Sequence, residues 1–67
     1  MMKSKVGKHI KELRNKLGIS QEELAFRSEI HRIYSAGLEV GKRNVSIETL
    51  EKVVNALEVS LSEFFNF

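Results

Sequence analysis

Helix punctuation constrains this chain more than any other feature. Ser20 and Ser60 each stand three residues ahead of a glutamate, Glu23 and Glu63. At that spacing a serine hydroxyl and a carboxylate satisfy each other's backbone N–H groups at a helix start. Ser46 precedes another apolar-periodic run, while Gly18 and Gly41 sit where helices commonly end in the left-handed conformation. Proline is absent throughout, so no helix is forced to kink.

Between these marks the apolar residues recur at helical spacing. Val6, Ile10, Leu13 and Leu17 follow i, i+4, i+7 and i+11, one face of a first helix that ends at Gly18. A second helix starts at Gln21 with Leu24 and Ala25 inward and runs to about Ser28. Glu29 and Ile30 occupy a turn, and a third helix begins near His31, passes through Leu38 and Glu39, and stops at Gly41. Ile47, Leu50, Val53, Val54 and Leu57 form the inner face of a fourth helix, and Leu61, Phe64 and Phe65 that of a short fifth. No strand pattern interrupts them. The expectation is an all-α, five-helix bundle in one domain, residues 1–67.

A bundle this small supplies only a few kcal/mol from its core, so a staple or a second subunit is expected. With no cysteine there is no disulfide, and with His9 and His31 as the only imidazoles a zinc site is not expected. No cofactor or small-molecule ligand is implied, which leaves association. The apolar excess of the C-terminal part points to where. Val54, Val59, Phe64, Phe65 and Phe67 exceed what one small core buries, so the helices near 46–57 and 60–66 are the expected homodimer interface. No apolar run is long enough to span a membrane, and MMKSKVGKHIKEL lacks the apolar segment of a secretory signal, so the expected location is cytoplasmic.

Charge divides the chain. Residues 1–44 hold ten Lys/Arg against five Glu, whereas residues 45–67 hold Lys52 against four Glu. A basic part facing an anion, joined to an acidic part with another task, fits this split. Catalysis is not expected. The chain shows no Ser/His/Asp arrangement and no paired carboxylates, and the GK at 41–42 lacks the rest of a phosphate-binding loop.

IKELRNKLGISQEELA at 10–25, GKRN at 41–44 and SIETLEKVVNALEVSLSEFF at 46–65 together resemble the Cro/C1-type (XRE-like) helix-turn-helix regulators, a group that contains phage repressors. Within it, HR-x-Y at 31–34 with E-x-GKRN at 39–44 looks like the controller proteins of restriction–modification systems. The resemblance covers nearly the whole chain. It implies a lambda-repressor-like bundle whose central helix-turn-helix binds double-stranded DNA, the second helix crossing the phosphates and the third entering the major groove. A pseudo-palindromic operator with half-sites about 34 Å apart would suit a two-fold dimer. The rival expectation is a protein-interaction module, antitoxin-like or anti-repressor, built on the same fold.

By position the resemblance puts Ser20, Gln21, His31, Arg32, Ile33, Tyr34, Ala36, Lys42, Arg43 and Asn44 at the DNA. Gln21 would bond a phosphate through its amide and the N–H groups of a helix N-terminus. Arg32 is the expected base reader, because a guanidinium bonds guanine O6 and N7 together. Tyr34 is either a phosphate or base-edge partner or half-buried packing with its hydroxyl in water. Lys42, Arg43 and Asn44 would contact backbone without reading sequence. Arg14 and Glu39 would form a partly buried ion pair tying the first helix to the end of the third.

Four residues depart from the family pattern. Ser35 stands where isoleucine or valine usually faces the core, and its hydroxyl is expected to bond the carbonyl of His31. Ile33 replaces a polar base-facing residue, and either meets a thymine methyl or is simply an exposed hydrophobe. Gly37 interrupts a helix at a cost of about 1 kcal/mol relative to alanine. Glu29 replaces a small residue that adopts positive φ easily. From these the third helix is expected to be less rigid or to read a different sequence.

Overall fold

The computed structural model describes the backbone of residues 2–66 and the side chains of residues 4–66. Among them the chain forms five helices and no strand: α1 Met2–Leu17, α2 Gln21–Ser28, α3 Arg32–Glu39, α4 Ile47–Ala56 and α5 Leu61–Phe64. The serines cap as expected. Ser20 Oγ accepts from the Glu23 N–H at 3.0 Å, Ser46 Oγ from the Thr49 N–H at 3.1 Å and Ser60 Oγ from the Glu63 N–H at 3.1 Å. The reciprocal bond closes only at Ser60, whose N–H donates to Glu63 at 2.9 Å. The box expected at Ser20 is half formed, because the Glu23 carboxylate instead accepts from Arg27 Nε one turn on, at 2.8 Å.

Val6, Ile10, Leu24, Leu38, Leu50, Val53, Val54, Leu57 and Phe64 make one continuous core. Three residues read as inward are exposed. Leu17, at the last turn of α1, is 38 % exposed, and Phe65, just past α5, is 43 % exposed. Ile47 opens α4 ahead of the packed turns and is 65 % exposed. Two corrections bear on the dimer expectation. Val54 and Phe64 are 1 % and 0 % exposed and close the protomer's own core, so neither reaches a partner without opening it. Of the other three residues assigned to that interface, Val59 is half-buried, Phe65 is exposed, and Phe67 lies outside the described residues.

Helix α1 packs on α3, and α2 on both α3 and α4. Part of the α1–α3 contact is made by backbone. A methyl group placed on Gly7 would run into the Leu38 carbonyl oxygen, with the Glu39 carbonyl oxygen 2.9 Å away. Only glycine permits this approach. Near the same crossing, Gly41 ends the segment after α3 at φ +75°, with Ser4 of α1 against it. α3 is continuous through Ser35 and Gly37, and the His31 carbonyl accepts the Ser35 N–H at 2.9 Å. Ser35 is buried, as its position in the helix requires.

Candidate nucleic-acid interface

The site is assembled around a carboxylate. Glu39, at the end of α3, has its side chain 1 % exposed. Arg14 of α1 donates to it twice, from Nε at 2.7 Å and from Nη2 at 3.1 Å. Paired parallel bonds of this kind fix the relative position of two elements as well as neutralising the charge. Arg14 Nη1 also donates to the Ile19 carbonyl at 2.8 Å, which ties down the α1–α2 connection. The structural ion pair expected from sequence is therefore present, with a third member. Gln21 Nε2 donates to Glu39 Oε1 at 3.1 Å, so the amide assigned to a phosphate is engaged inside the protein. What Gln21 offers outward is the start of α2, with its N–H groups and positive dipole end.

Over this network lies an open cleft of about 510 Å³, lined by Arg14, Ser20, Gln21, Glu22, Arg32, Ile33 and Ala36. It brings the first turn of α2 beside the first two turns of α3. Five of the ten residues assigned to DNA meet here: Ser20, Gln21, Arg32, Ile33 and Ala36. His31 caps α3, its Nδ1 accepting the Ile33 N–H at 3.2 Å, and remains exposed. Arg32 spans the cleft to Glu22, Nη1 to Oε1 at 3.3 Å, with both side chains more than 60 % exposed. An exposed pair of this kind contributes little stability, so the guanidinium remains free to exchange partners.

The remaining assigned residues form a second group along α3. Tyr34 is half-buried and its hydroxyl donates to the Asn44 carbonyl at 2.6 Å, pinning the loop after α3. The ring packs half-buried, but the hydroxyl is bonded within the protein rather than left in water, and its oxygen stays able to accept. Lys42, Arg43 and Asn44 are exposed in that loop. Gly37 belongs with them. A Cβ there would lie 2.5 Å from Arg43 Cγ, so the bare helix surface is occupied by the arginine stem. The glycine that weakens α3 as a helix former also leaves room for the Arg43 stem.

Sequence reasoning missed Glu22, Gly7 and the Gly37–Arg43 contact. An unexplained glycine inside a helical run is a signal of close approach, and Gly7 carried it. Nothing local marks Glu22 as the partner of Arg32, because the pair exists only once α2 and α3 are folded together.

Comparison with known proteins agrees with this geometry. Residues 10–64 match a family described as helix-turn-helix. The chain is 41 % identical over 66 residues to the control protein C.MunI of a Mycoplasma species, covering 97 % of this chain and 89 % of that one. It superposes with a TM-score of 0.89 on the restriction–modification controller protein C.AhdI from Aeromonas hydrophila, at 44 % identity, covering 92 % of this chain and 94 % of that one. On C.Esp1396I bound to a 25 base pair operator site the TM-score is 0.90 at 42 % identity, covering 97 % and 86 % of the two chains. With an all-helical fold, the buried Arg14–Glu39 tie and these relatives together, the chain belongs to the Cro/C1-type helix-turn-helix family, among whose members are the restriction–modification control proteins.

Proposed function

We propose that this chain is a sequence-specific transcriptional regulator that acts as a homodimer on a pseudo-palindromic operator and controls a restriction–modification operon. The observation that supports it most is the cleft in which α2 and α3 present Ser20, Gln21, Arg32, Ile33 and Ala36 on one face. A relative of the same fold has been seen on operator DNA. In this reading α3 enters the major groove, Arg32 leaves Glu22 for a guanine, and α2 crosses the phosphates with its N-terminal N–H groups. The loop of Lys42, Arg43 and Asn44 sets the register on the backbone. It has no enzymatic step, and its place of action is the cytoplasm, beside the DNA. Pairing through the acidic C-terminal end, with Val59 and Phe65 at the contact, leaves the basic helices facing the duplex.

One observation favours a protein partner instead. Phe26, on the outer face of α2, is 80 % exposed. Equilibrium binding to duplex DNA across a salt series, with sedimentation of the free chain, separates the two readings. The regulator is a dimer whose affinity falls steeply as salt rises, with a slope set by the number of phosphates engaged. A monomer with no duplex affinity at low salt overturns the reading in favour of the protein partner.

A further inference from the structure

The reading face of α3 carries an apolar side chain where it can only recognise one kind of group. Ile33 is 63 % exposed at the first turn, and its backbone N–H is already held by His31 Nδ1 at 3.2 Å. It lines the α2–α3 cleft beside Arg32 and Ala36. Ile33 and Ala36 are three residues apart, so their side chains neighbour each other on the helix surface. Together they make an apolar step flanked by a guanidinium.

On the assumption that α3 does enter the major groove, we propose that Ile33, backed by Ala36, is a receptor for the C5-methyl group of a pyrimidine lying beside the guanine read by Arg32. The major-groove edges of the bases consist of hydrogen-bond donors and acceptors, and the one apolar group among them is that methyl. Isoleucine has no donor or acceptor to offer. Any other base edge pressed against it loses water and gains no partner, which is unfavourable. A methyl group gains burial on both sides. Specificity thus comes from attraction to the methyl and from rejection of bare polar edges. Thymine and 5-methylcytosine present the same methyl at the same place, so both are ligands of this step, and cytosine and uracil are not.

The test uses the 67-residue chain and the duplex it enriches from a random pool. Each thymine is replaced in turn by uracil, which removes the methyl and nothing else, and each cytosine by 5-methylcytosine. Binding is measured for the natural chain and for Ile33→Ala, whose exposed position keeps the fold intact, as a melting curve verifies. Uracil at one thymine per half-site, next to a guanine, should weaken the natural chain about fourfold, the scale of one methyl's apolar burial. Ile33→Ala should be indifferent to the same change. Cytosine at that position should bind poorly and its 5-methyl form should regain affinity, which identifies the methyl rather than the thymine ring as the ligand. An enriched site at which no uracil substitution matters, or at which it matters equally to both proteins, overturns the proposal and leaves the regulator reading standing. Failure to enrich any duplex overturns that reading and the proposal with it.

Discussion

Arg14 illustrates how one side chain serves several elements. Its guanidinium holds the Glu39 carboxylate through two bonds and the Ile19 carbonyl through a third. Removing one partner of a buried pair leaves the other charge uncompensated, at a cost of about 3–5 kcal/mol. Arg14→Ala should therefore lower stability by roughly that amount in denaturant titration. Glu29 makes the opposite case. It ends α2 at φ 60°, a left-handed conformation that favours glycine, and its N–H still donates to the Ala25 and Phe26 carbonyls. Glu29→Gly should stabilise the chain by about 0.5–1 kcal/mol, read as a higher melting temperature, since the gain in backbone freedom offsets only part of the relieved strain.

At the level of elements, helix existence was legible and helix environment was less so. Ser20, Ser46 and Ser60 mark helix starts through chemistry contained within four residues, so α2, α4 and α5 begin where the sequence says. The residues misjudged as buried, Leu17, Ile47 and Phe65, all lie at helix ends, where periodicity continues but the neighbouring element has already turned away. Gly7 signals a close approach by standing inside a helical run, but the identity of what it approaches, the Leu38 and Glu39 carbonyls, is distant in sequence and not legible there. Gly7→Ala should force α1 off α3 and destabilise the fold by about 1–3 kcal/mol, as overpacking does, measurable by chemical denaturation. The start of α5 responds to pH. The Ser60 backbone N–H, then its hydroxyl, hold the Glu63 carboxyl below its ordinary value. A lowered carboxyl contributes stability that is present above its unfolded-state value and is lost as pH falls through the folded-state value. Melting temperature should thus decline on acidification through the glutamate range, and Glu63→Gln should show a smaller decline.

For the molecule as a whole, burial and recognition use the two sides of the same helix. Ser35, Leu38 and Glu39 of α3 are buried against the rest of the bundle, while Arg32 and Ile33 stand out of it. The family pattern made the residues assigned to DNA nameable from sequence, yet it was the fold that sorted them into a cleft group around Arg32 and a loop group around Arg43. Gln21 and Tyr34, assigned to DNA from position alone, proved to be bonded within the protein as well, because the partners they bond, Glu39 and Asn44, come from other parts of the chain. That sorting carries the central claim: one arginine reads bases and the other positions the backbone. The most direct test is the ratio of affinity for the enriched duplex to that for random duplex, measured at fixed salt for the natural chain, Arg32→Ala and Arg43→Ala. Arg32→Ala should reduce the ratio by about 10- to 100-fold while scarcely changing random-duplex affinity, and Arg43→Ala should weaken both duplexes alike. An Arg32→Ala variant that keeps the full ratio, or that loses both affinities equally, contradicts the account.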